Sequence, residues 1–134
     1  MPNSPVSPEE ELSKYILQKG DIRGNGTLKY QSMLPGPDGR RSVFRIYGLS
    51  EDEIWKLALE KVVPQRPESL VGRADLLAEI VYRHQLTILP DEDLQSRHAD
   101  IAGWPQDKDE KMSIAQALAE GARVKRWTSQ ASRS

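Results

Sequence analysis

RSVFRIYGLSEDEIWKLALEKVVP, residues 41–64, changes its hydrophobic period halfway along. Val43, Arg45 and Tyr47 alternate with Phe44 and Ile46, the period of two that marks a strand. Ser50-Glu51-Asp52-Glu53 then has the Ser-x-x-Glu form in which a hydroxyl and a carboxylate reciprocally satisfy backbone donors at a helix start. Leu49 before it, with Ile54, Leu57, Ala58, Lys61 and Val62 after it, makes one helical stripe that Pro64 ends. A strand that turns directly into a capped helix commits the chain to a mixture of both.

Upstream, PGPDG at 35–39 carries proline, aspartate and glycine where a turn uses them, and Gly24-Asn25-Gly26 makes another. Residues 27–33 between them are expected as a short strand, hairpin-paired to the 43–47 segment. Farther back, Ser7-Pro8 precedes three glutamates, and Leu12, Tyr15 and Ile16 recur at i, i+3, i+4. That pattern predicts a capped helix stopped by Gly20.

Downstream, QRPES is a linker, LVGRADL is expected as a strand, and LAEIVYRHQL as a helix through Leu77, Ile80, Val81 and His84. LTIL, residues 86–89, fits a buried strand, PDEDLQS an acidic loop, and RHADI a short strand or edge segment. Trp104 in the Gly-Trp-Pro turn is extended because proline follows it. The last helix starts near Asp107, which or Asp109 caps it, runs through Ala115, Leu118, Ala119 and Ala122, and ends in a basic turn. No internal repeat stands out. The whole predicts a small single α+β domain with about three helices and a few short, mostly antiparallel strands, spanning 8–127 between a flexible start (1–7) and a disordered tail (128–134).

A chain of 134 residues, 37% hydrophobic and 29% charged, holds one modest core. The absence of cysteine excludes a disulfide framework, a thiolate zinc site and a cysteine nucleophile. The start has no apolar signal region and no run approaches the roughly 18 apolar residues of a membrane span, so a soluble cytoplasmic protein is expected. The net charge of −1 hides an uneven distribution: residues 21–47 are basic, 90–110 acidic, and 111 onward basic. Solvated faces and helix-end placement produce such blocks, as does a charged partner.

One of the two histidines lies in SRHADIAGWP, residues 96–105. In an extended RHADI, His98 and Asp100 share one face while Arg97, Ala99 and Ile101 take the other. A carboxylate beside an imidazole fixes its tautomer and keeps it basic, the requirement for acid–base catalysis. The same pair also serves as a polar rim that anchors the turn. His84, on the expected helix, completes a two-histidine acid–base pair for metal-free RNA cleavage if it converges with His98, with Arg97 on the phosphate; at a helix end it satisfies carbonyls instead.

Asp91, Glu92 and Asp93, with Asp100, could supply oxygen ligands to magnesium or calcium, but they lack EF-hand spacing and read as a solvated loop. DIRGNGT has glycines without the lysine and helix of a phosphate cradle. No metal and no cofactor is therefore expected. Arg40, Arg41 and Arg45 near Tyr30 and Tyr47, together with the RVKRW end, offer cations and aromatics to nucleic acid. Trp55 flanks the core, and Trp104 and Trp127 are the expected exposed anchors of a protein-binding face.

VFRIYGLSEDEIW, GRADL, PDED, RHADIAGWP and DKDEKMSIAQALAEGA, taken together, resemble a group of short uncharacterised bacterial proteins, over residues 10 to 124. The resemblance implies a bacterial cytosolic domain and lends no activity to any residue. The leading expectation is an accessory or regulatory domain that binds another protein through Trp104, Arg97, His98 and Trp127. The alternatives are a metal-independent ribonuclease or phosphodiesterase using His98 with His84 or Asp100, and a nucleic-acid-binding module.

Overall fold

The computed structural model describes residues 5–91 and 97–128. Among those residues six strands, β1 (Glu11–Ile16), β2 (Arg41–Arg45), β3 (Gly72–Leu77), β4 (Thr87–Pro90), β5 (His98–Ala102) and β6 (Arg123–Arg126), and three α-helices, α1 (Glu51–Leu57), α2 (Ala78–Arg83) and α3 (Lys108–Gly121), follow in the order β1-β2-α1-β3-α2-β4-β5-α3-β6. The strands form one sheet in the order β4-β5-β2-β1-β3-β6, every neighbouring pair antiparallel. This is the small α+β architecture the sequence predicts. No helix among the described residues is long and apolar enough to cross a membrane.

The deciding stretch folds as its period implies. Residues 41–45 are β2, and Ser50 accepts from the Glu53 amide while the Glu53 carboxylate accepts from the Ser50 amide, closing the box at the start of α1. A wider π-type turn over Ala58–Val62 continues α1 toward Pro64. PGPDG turns with Gly39 at a φ of 77°, which glycine adopts without strain.

The segment expected as the first helix is instead β1, between β2 and β3. Its strand signal is hidden because both faces are covered: Leu12 and Ile16 enter one core and Tyr15 the other. A strand buried on both sides loses the alternation that betrays it. Ser7-Pro8 starts a single turn and not a capped helix, with the Glu10 amide donating to the Ser7 carbonyl and the Glu10 carboxylate accepting from the Ser7 amide. Within the expected flexible start, Val6 is buried and Tyr82 donates to its carbonyl. The rest of the expected flexible start, residues 1–4, and the expected tail beyond Thr128 lie outside the described residues.

Three further expectations change. Residues 27–33 make no hairpin with β2, whose two sides are taken by β1 and β5; they give an Ile22–Leu28 bridge and a 3₁₀ turn at Tyr30–Met33. The basic run after Gly121 is strand β6, not the last turn of α3. β4 is an edge strand with Ile88 buried and Leu89 exposed, and β5 is internal.

α2 and α3 lie on one face of the sheet, where Ala78, Val81, Ala115, Leu118 and Ala119 meet Leu12, Val43, Leu76, Ile88 and Ile101. Each helix belongs to a crossover: β3-α2-β4 and β5-α3-β6 both join parallel strands separated by three others. α1 lies on the opposite face, where Ile54, Trp55 and Ala58 pack on Tyr15 and Ile46.

Candidate functional site

The face that carries α1 is built twice over. On β3, Arg73 and Asp75 project from it, with Asp75 opposite Ser13 and Arg73 opposite Tyr15 of β1. On β5, His98 and Asp100 project from it, with Asp100 opposite Ser42 and His98 opposite Phe44 of β2. A two-fold operation that exchanges β1 with β2 thus also exchanges β3 with β5, matching serine with serine, aspartate with aspartate, aromatic with aromatic and arginine with histidine. The sequence carries a trace of it in Arg73-Ala74-Asp75-Leu76 and His98-Ala99-Asp100-Ile101, a repeat of polar–small–acid–aliphatic type.

The two halves differ in cover. α1 closes the first: the Arg73 Nη2 donates to both Glu51 oxygens at 2.8 Å, Trp55 lies 4.6 Å from the guanidinium, and Tyr15 donates to the Ile54 carbonyl at 2.6 Å. Ser13, Tyr15, Arg73 and Asp75 are each 3% exposed or less. Arg73 Nε also bonds both Asp75 oxygens at 3.1 Å. Burial nevertheless pushes the Asp75 carboxyl above its ordinary pKa against the pull of Arg73. The Ser13 hydroxyl lies close enough to favour the Asp75 carboxylate but makes no hydrogen bond of good geometry.

The second half is open. Ser42, Thr87 and Leu89 are exposed, and the side chains of His98 and Asp100 are 26% and 18% exposed. His98 Nδ1 is 3.2 Å from Asp91 Oδ2, and Nε2 is 3.1 Å from Ser42 Oγ and 3.4 Å from Asp100 Oδ1. Ser42 Oγ also reaches Asp100 Oδ1 at 3.3 Å, and Arg40 Nη1 reaches the other Asp100 oxygen at 3.4 Å. Phe44 meets the imidazole edge-on at 5.6 Å between centroids. His98 and Asp100 share a face as strand geometry predicts; the parts played by Ser42 and Asp91 come from pairing across three strands, which no local pattern reveals.

The other predicted residues do not join this group. His84 ends α2 beyond the Thr87 end of β4, whereas His98 lies past its Pro90 end, so roughly 13 Å of strand separates the two histidines. Arg97, at a φ of 57°, spends its guanidinium on the Arg45 and Tyr47 carbonyls and lies over the Tyr47 ring. It braces the turn after β2 rather than offering itself to a phosphate.

Arg40, Arg41 and Arg45 form no common patch. Arg45 is buried and doubly bonded to Glu10 at 2.6 and 2.9 Å, Arg41 points to the helix side and donates to the Leu34 carbonyl, and Arg40 alone is well exposed. Along β6, Arg123 pairs with Glu11 and Lys125 with Glu51. The indoles expected as free anchors are also engaged. Trp104 packs against the first core and donates to the Ile101 carbonyl, and Trp127 lies 4.9 Å from Trp55, itself buried.

Among the described residues no group of three or more histidine and acidic side chains is placed to hold a metal; Glu92 and Asp93 lie outside them. Set against protein-family models, curated proteins and solved structures, the chain matches none.

Proposed function

We propose that this chain is a bacterial cytosolic accessory domain that acts by binding another protein, and that its contact surface is the open half of the α1 face, over β2, β5 and β4. One observation carries the proposal: the equivalent half of the same face is closed by a helix of the chain itself. α1 supplies there an acid to Arg73 and an aromatic ring over it. The open half already holds its own acids, Asp91 and Asp100, beside His98. The complementary occupant is an amphipathic partner helix with an aromatic residue to cover His98 and a cation, one turn away, for the carboxylates. Leu89, 40% exposed on the edge strand, gives that helix an apolar foothold.

This reading keeps His98 at the contact and moves the aromatic anchors from this chain to its partner. A phosphate-bearing ligand suits the surface poorly, since two carboxylates flank the imidazole and Arg40 is tied to one of them.

The test begins with tagged protein isolated from its native cells, one half of the lysate treated with nuclease. A co-purifying protein that survives digestion is then titrated against the wild type and Leu89→Glu. Support requires at least about a tenfold loss of affinity, the scale of one lost anchor, with unchanged melting of the variant. Equal affinity of the two proteins removes this surface, and loss of the partner on digestion transfers the function to nucleic acid.

A further inference from the structure

The open half-face holds an arrangement that binding alone does not use. Asp91 just past β4, His98 of β5 and Ser42 of β2 are neighbours, with Asp91 on Nδ1 and Ser42 on Nε2 of one imidazole. Backbone pairing brings them together: the Asp91 amide donates to the His98 carbonyl, and His98 lies diagonally across the ladder from Ser42. We propose that Ser42 is an activated nucleophile, with His98 as its base and Asp91 orienting that base, and that it reacts with uncharged acyl and phosphonyl electrophiles such as carboxylic esters.

Asp91 makes the shorter carboxylate contact, 3.2 Å on Nδ1 against 3.4 Å for Asp100 on Nε2. With the proton held on Nδ1, the Nε2 lone pair receives the Ser42 hydroxyl when that hydroxyl turns from the Asp100 oxygen to which it donates. In reaction the hydroxyl proton passes to Nε2 as the Oγ–carbon bond forms. The ester's alkoxide leaves with that proton as an alcohol, and Ser42 keeps the acyl group. Water, deprotonated by the same nitrogen, then releases the acid and restores the hydroxyl. Arg40, two residues before Ser42 and half exposed, is paired with Asp100 and reaches a developing oxyanion only by leaving that carboxylate.

The surroundings select the substrate charge. Asp91 and Asp100 on either side of the imidazole repel anionic phosphodiesters and accept neutral esters. Ser42 itself is exposed, so an electrophile reaches it without rearrangement of the sheet. Ser13, its two-fold counterpart, is sealed beneath the closed half and serves as a built-in control.

The experiment is labelling of the purified full chain with a fluorophosphonate, which forms a P–O bond to an activated serine and expels fluoride. Peptide mass mapping is expected to place one adduct on Ser42, none in Ser42→Ala, and an undiminished one in Ser13→Ala. His98→Ala slows labelling about 100-fold or more, the scale of a lost general base, and Asp91→Asn slows it as well. Circular dichroism checks each fold, and His98→Asn replaces His98→Ala if the latter fails to fold. No adduct on the folded wild type overturns the proposal, as does an adduct formed equally fast without the imidazole. Because labelling needs no partner, it fails or succeeds independently of the docking surface.

Discussion

Arg73 and His98 occupy equivalent places on the two sides of the β1–β2 pair, yet Arg73 is 1% exposed and the His98 side chain 26%. Position alone therefore does not fix the energetic part each plays. Arg73→Ala leaves Asp75 buried beside no counter-charge, a loss of about 3 kcal/mol or more. His98→Ala leaves Asp91 and Asp100 in contact with solvent and Arg40, at a cost of about 1 kcal/mol or less. Urea unfolding of the two variants checks the contrast, and equal losses mean that cover by α1 does not separate the two positions.

Gly72→Ala is expected to detach β6. A Cβ there stands 2.6 Å from the Lys125 carbonyl oxygen and 3.2 Å from the Arg126 Cα, both backbone atoms of the paired strand. The expected cost is about 1–3 kcal/mol, with amide exchange accelerating at Arg123–Trp127 before the inner strands. Unchanged exchange in that segment means that β3 and β6 leave room for a methyl group between them.

Lys14 lies on the helix side of β1 between Leu12 and Ile16, its ammonium donating to the Tyr15 carbonyl at 2.8 Å. Burial, reinforced by repulsion from Arg41 and opposed by Asp21, lowers its pKa from 10.5 to about 8. Between those values the unfolded chain holds the proton and the folded chain has lost it, so stability rises with pH. A gain of about 1–2 kcal/mol is expected from pH 8 to 9.5, after discounting for partial exposure. Lys14→Met abolishes the slope and is more stable than the wild type at pH 7. Denaturant titrations across that range decide it, and the same slope in both proteins assigns it to another group.

The elements readable in the sequence are those whose stabilising contacts are local. The Ser50–Glu53 box, the Asp107 cap and the PGPDG turn each settle within four or five residues, and all three form. β1 and β6 escape notice for opposite reasons: β1 is buried on both faces and so loses its alternation, and the charged Arg123–Arg126 run owes its strand form to the edge of β3. The site divides in the same way. His98 and Asp100 share a face because strands alternate, whereas Asp91 and Ser42 arrive through the register of two other strands, seven and 56 residues away. Trp104 and Trp127 mislead because indoles near turns look like anchors until the surfaces they cover are known.

The two crossovers bear on how the chain is made. Each lays its second strand beside the first strand of the other, so β4 waits for β5 and the free edge of β3 waits for β6. During synthesis the inner strand β1 finds β2 only after 24 intervening residues and β3 only after 55, and a chain cut short before β6 leaves the sheet unfinished. Folding is therefore dominated by distant partners and slow for its size, and the nascent chain keeps the edge of β3 unpaired until Arg126 has left the ribosome.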